Sequence, residues 1–117
     1  MTDLKMNAAL DITSEQRKTL VDILRQYIPG VAVWAYGSRV KHAARRNSDL
    51  DLVAFSSAGQ RPAVYELKDA LDESNLPFLV DLHVWDEIPE SFREIIRQEY
   101  VVIQEQKDGL KELGHGK

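Results

Sequence analysis

Apolar and polar positions along this chain change period several times, and each change marks an element. Leu20, Val21, Ile23, Leu24 and Tyr27 recur at helical spacing behind Thr13-Ser14-Glu15-Gln16. Thr13 can cap that helix while Gln16 reaches back to it, and Pro29-Gly30 ends it, so the first helix is expected over about 14–27. Residues 31–36 form an apolar run too short for a helix and too apolar to be exposed on both faces, which is a buried strand. A short helix is expected over 38–44, a polar loop over Arg45-Arg46-Asn47-Ser48, and a second strand from Asp49 to Phe55. Turn residues fill 56–62. Val64, Leu67, Ala70 and Leu71 predict a helix over about 62–74, broken by Asn75-Leu76-Pro77. The apolar run 78–85 reads as a strand and holds one acid, Asp81, and one histidine, His83. Pro89 opens a last helix near 89–98 carrying Phe92, Ile95 and Ile96, and 100–103 reads as a closing strand.

Helix and strand therefore alternate, which implies an α/β or α+β fold: a small mixed sheet flanked by helices. One domain over residues 1–117 is expected, with a core at about 13–104 and a polar tail at 105–117 that frays. The apolar fraction of 44% and charged fraction of 29% fit an ordinary globular chain. No apolar run approaches the roughly 20 residues that cross a bilayer, and the first residues lack the apolar stretch of a signal peptide. The absence of cysteine rules out disulfides and thiolate metal sites, and the expected location is the cytoplasm. A net charge of −4 argues against direct, non-specific nucleic-acid binding.

Charge changes the picture at one stretch, Gly37 to Leu52: G-S-R-V-K-H-A-A-R-R-N-S-D-L-D-L. Gly37-Ser38 follows directly on an apolar run, and a Gly-Ser turn offers backbone N–H groups and a hydroxyl to phosphate oxygens. Asp49 and Asp51 open the next strand two residues apart, so both carboxylates point to one face. Such a pair on its own is more often a strand-edge or loop feature than a metal site. What changes the weighing is Asp81, an acid among Phe78, Leu79, Val80, Leu82 and Val84 that is costly to bury without a partner. A neighbouring strand can bring it beside Asp49 and Asp51. Three converging carboxylates suit hard divalent cations, and Mg2+ takes carboxylates together with substrate phosphates. Two ions about 4 Å apart stabilise the attacking and leaving oxygens of a phosphoryl displacement.

Gly-Ser, a helix, D-x-D on the next strand and a third aspartate on a later one resemble the polymerase-beta-like nucleotidyltransferase superfamily. More narrowly, residues 37–52 followed by L-P-F-L-V-D-L resemble the minimal nucleotidyltransferases, antitoxins of HEPN-domain RNase toxins. The resemblance covers nearly the whole chain, from the first helix to Ile103. It implies Gly37 and Ser38 at the triphosphate of ATP, with Arg39 and Ser48 among the nucleotide-binding residues. It implies Asp49 and Asp51 at two Mg2+ ions, with Asp81 completing the catalytic and metal-binding triad. It further implies transfer of AMP to a tyrosine of the HEPN-domain toxin, which silences the RNase. His42 departs from the pattern, since members commonly carry glycine there.

Several side chains have bland readings as well as functional ones. Ser38 can be a plain helix cap, a role compatible with phosphate binding. Arg39, Lys41, Arg45 and Arg46 place four positive charges within eight residues and are expected to meet phosphate or an acidic partner, with Arg39 foremost. His83 shares a face with Asp81 and either touches the metal site or is a core-edge histidine held by a backbone group. Trp34, Tyr36 and Trp85 read as core aromatics. A core this small supplies no acceptor-binding domain, so the acceptor surface is expected from another chain or a second copy. Two alternatives stand beside protein adenylylation: a nucleotidyltransferase acting on a small-molecule hydroxyl or an RNA end, and an antitoxin that neutralises its partner by binding alone.

Overall fold

The structure is a computed structural model, and it describes residues 10–40 and 48–107. Helix α1 spans Ser14–Tyr27. Its capping box forms as expected: the Gln16 N–H donates to Thr13 Oγ1 at 3.0 Å, and the Thr13 N–H donates to Gln16 Oε1 at 2.9 Å. Strand β1 is Val33–Tyr36 and β2 is Leu50–Ala54. Helix α2 follows over Arg61–Asp72, with Pro62 in its first turn where a missing N–H costs nothing. Strand β3 is Val80–Val84, shorter than the apolar run that predicted it, because Phe78 turns into the core and Trp85 begins a 3-10 turn. Helix α3 is Glu90–Gln98 and strand β4 is Val101–Gln104. Each element lies within two residues of its expected limits. The helix expected over 38–44 is a turn at residues 38–40, and its remainder lies outside the described residues.

The four strands form one mixed sheet in the order β3-β2-β1-β4. β1 runs antiparallel to both neighbours, and β2 runs parallel to β3 through the α2 crossover. Alternation along the strands separates two faces. One face presents Val33, Ala35, Leu50, Leu52, Ala54 and Leu82 to the aliphatic core, where Leu20 and Leu24 of α1 and Val64, Leu67 and Leu71 of α2 close it. Each fully buried leucine there contributes roughly 1.5–3 kcal/mol. The other face is aromatic. Tyr36, Val53, Ile88 and Ile96 form its small core, and Trp34, Phe55 and Trp85 pack against it. Trp34 lies between Phe55, Trp85 and Tyr100, stacking on Tyr100 with ring centroids 3.8 Å apart. Trp34, Tyr36 and Trp85 therefore build this second layer, as expected of core aromatics. Among the described residues, no helix is long and apolar enough to cross a membrane.

Candidate active site

The acids fall on the aromatic face, because period-two alternation sends Asp51 opposite to Leu50 and Leu52, and Asp81 opposite to Leu82. The parallel β2–β3 ladder then sets them in register, Asp51 opposite Asp81 and Val53 opposite His83. The antiparallel β1–β2 ladder sets Tyr36 opposite Asp51. Asp49 precedes β2 and is exposed.

Gly37 is tied to this cluster in two ways. Its φ of +87° is a conformation that side chains beyond glycine disfavour. A Cβ at this position would also run into the Asp51 carboxylate. The glycine therefore lets the backbone after β1 pass directly beside the acid. Ser38 follows in the turn, which the Val40 N–H closes by donating to the Gly37 carbonyl at 3.1 Å.

Electrostatics mark the cluster as crowded with negative charge. Partial burial, then the charges of Asp81 and Asp49, raise the Asp51 carboxyl above its usual range, with His83 acting in the opposite direction. Burial, then the carboxylates of Asp51 and Asp81, push the Tyr36 hydroxyl well above its ordinary value, so it stays protonated. His83 Nε2 lies 3.3 Å from Asp81 Oδ2, so this histidine meets the acid rather than a backbone group. Among the described residues, no three acids or histidines are drawn tightly enough together to form a ready-made ion cage. The donor chemistry still fits a hard cation. Asp51 and Asp81 offer carboxylate oxygens from adjacent strands, and they repel one another in a way a cation would relieve.

Arg39 is placed differently from expectation. It is only 7% exposed, and its guanidinium donates to the Ser48 carbonyl at 2.7 and 3.1 Å and to the Asp11 carbonyl at 2.7 Å. It also lies over the Phe78 ring, 4.3 Å from the centroid. These contacts make Arg39 a brace that ties the turn after Gly37 to the segments before α1 and before β2. Ser48 takes part through its carbonyl. Lys41, His42, Arg45 and Arg46 lie outside the described residues.

Sequence reasoning placed Asp51, Asp81 and Gly37 together correctly and missed what stands beside them. A cavity of about 320 Å3 borders Tyr36, Gly37, Asp51 and Asp81 on one side and Phe92 and Ile95 of α3 on the other. The available signal was the adjacency of Tyr36 to Gly37 and an apolar α3 surface wider than its single buried residue, Ile96, requires.

The glycine turn at the end of β1 thus abuts Asp51 on β2, which stands in register with Asp81 on β3 of a mixed sheet. The chain belongs to the polymerase beta nucleotidyltransferase family, whose family model matches residues 18–108. It is 48% identical over 104 residues to the probable protein adenylyltransferase MntA of Haemophilus influenzae, a match covering 86% of this chain and 89% of that relative. Among solved structures, the fold is similar to a toxin–antitoxin crystal structure with AMP-PNP, with a TM-score of 0.56 at 19% identity over 80% of this chain and 76% of that one. It is also similar to the MntA–HepT toxin–antitoxin structure, with a TM-score of 0.51 at 16% identity over 83% and 76% of the two chains.

Proposed function

We propose that this chain is one adenylyltransferase domain that acts in the cytoplasm as an antitoxin, transferring AMP from ATP to a tyrosine of a partner HEPN-domain RNase toxin. The observation that carries the reading is the in-register pair Asp51 and Asp81 directly beside Gly37. The 48% identity to a probable protein adenylyltransferase supports the choice of group and acceptor class.

In this reading Gly37 and Ser38 receive the triphosphate, and the turn's backbone N–H groups supply positive dipoles to its oxygens. Asp49 and Asp51, with Asp81, hold Mg2+, two ions in all, which supply charge stabilisation to the α-phosphoryl group. Asp81 also accepts the proton of the attacking hydroxyl, while His83 at 3.3 Å fixes its orientation. Tyr36 stays neutral opposite Asp51 and so adds no further negative charge to the site.

The test is intact mass spectrometry of the HEPN-domain partner after incubation with this protein, ATP and Mg2+. A gain of one or more AMP units, lost in the Asp49→Asn/Asp51→Asn double variant, is the expected result. A stable complex with no mass gain, or transfer that survives the double variant, would overturn it.

A further inference from the structure

The sheet fixes only part of the site. Asp51 and Asp81 are held by the β2–β3 ladder, which opens with the Leu50 N–H donating to the Leu79 carbonyl at 2.8 Å. Ser38 stands past the end of β1 and Asp49 ahead of the start of β2, so strand pairing places neither. Their immediate neighbours are joined instead. Arg39 follows Ser38, Ser48 precedes Asp49, and Arg39 Nε and Nη2 both donate to the Ser48 carbonyl, at 3.1 and 2.7 Å. That oxygen belongs to the peptide unit leading into Asp49. A planar unit gripped at its oxygen by two donors of a rigid fork is fixed in direction as well as in position.

Two further contacts hold the fork still. Nη1 donates to the Asp11 carbonyl at 2.7 Å, and the Asp11 N–H donates back to the Arg39 carbonyl at 2.8 Å, next to the buried Leu10. The guanidinium also lies over Phe78, which leads into β3 and Asp81. One buried cation thus reaches the Ser38 turn, the peptide of Asp49 and the approach to β3. Burying a guanidinium carries a desolvation cost that a methionine of similar length would avoid. What a methionine lacks is a directional grip on the carbonyls of Ser48 and Asp11. The charge is therefore kept for its geometry.

We infer that Arg39 is a positioning residue for AMP transfer. Through the Ser48 carbonyl it sets the Ser38 turn, which receives the triphosphate, against Asp49, which holds the metal. The inference rests on the adenylyltransferase reading and gives the arginine beside the phosphate turn a geometric task rather than an electrostatic one.

Arg39→Lys separates the two tasks, because it keeps a positive charge and gives up the fork. Two quantities are measured on the full chain below its unfolding transition. One is kcat for AMP transfer to the HEPN-domain partner at saturating ATP, and the other is the Kd for ATP with Mg2+ by calorimetry. Leu67→Ala, which loosens α2 on the opposite face of the sheet, controls for a general loss of stability. The expected result for Arg39→Lys is a fall of about a hundredfold in kcat, the scale of a displacement of about 1 Å at the reacting centre. The Kd stays within about threefold of the wild type, because ATP follows the turn it sits on, and Leu67→Ala keeps its kcat. Phe78→Leu removes the ring under the fork and is expected to lower kcat by about tenfold; it decides the question should Arg39→Lys not fold. Wild-type kcat in the folded Arg39→Lys chain, or in Phe78→Leu where Arg39→Lys does not fold, would overturn the inference. An equal fall in Leu67→Ala would overturn it too. So would a Kd raised by about tenfold with kcat unchanged, which would assign Arg39 to ATP binding itself. If the wild-type chain transfers nothing, the adenylyltransferase reading fails and the positioning role fails with it, an outcome distinct from the others.

Discussion

Gly37 shows how much chemistry one missing methyl group can carry. Its positive φ and its contact with Asp51 act together, so Gly37→Ala strains the backbone and displaces the carboxylate at once. The backbone term is about 1–2 kcal/mol. Displacing a reacting group by about 1 Å costs on the order of a hundredfold in rate. Gly37→Ala should therefore lower AMP transfer by about a hundredfold while leaving a folded protein with a reduced midpoint in urea. Asp51→Asn should behave in the opposite way for stability. An acid whose pKa is raised by folding binds its proton more tightly in the folded state, so it weakens the fold as pH rises through that pKa. The amide removes this dependence. In metal-free buffer at neutral pH the Tm should rise, transfer should be abolished, and the rise in Tm expected on adding Mg2+ to the wild type should be absent. A lower Tm would contradict the crowding of charge at this position. Arg39→Lys should cost about 2–3 kcal/mol in urea denaturation, because one ammonium cannot replace a fork that reaches the carbonyls of both Ser48 and Asp11.

Among the elements, α1 and α2 follow from their sequences, since a capping box, a first-turn proline and clean helical spacing all act locally. Leu67→Ala in α2 should cost about 2–5 kcal/mol, as a buried leucine with nowhere to collapse. Ile95→Ala in α3 should change stability by less than about 0.5 kcal/mol, since its side chain is mostly in water. Both values are read by chemical denaturation. The strands were legible as apolar runs, and Asp51 and Asp81 stood out because an acid inside such a run demands a reason. Tyr36 and Phe92 did not stand out, because an aromatic residue in an apolar pattern looks the same whether it fills a core or borders a cavity. The bracing contacts of Arg39 were hidden for a related reason. Its charge is visible in the sequence, but the carbonyls of Asp11 and Ser48 that engage it arrive only through the tertiary fold.

At the scale of the whole molecule, the sheet separates its tasks by face. The aliphatic face, closed by α1 and α2, holds the larger core, while the aromatic face carries the acids under the nine-residue α3. Substitutions on the acid-bearing face can therefore change chemistry at modest cost to the fold, whereas those on the opposite face unfold it. The parallel pairing of β2 with β3 has a consequence for how activity appears in time. Asp51 and Asp81 are distant in sequence and become neighbours only when β3 docks beside β2 after the α2 crossover. Such long-range parallel pairing is intrinsically slow, because the closure entropy precedes the contacts that repay it. During refolding, helical signal should recover before any response to Mg2+, and the lag between the two would time the docking of that strand.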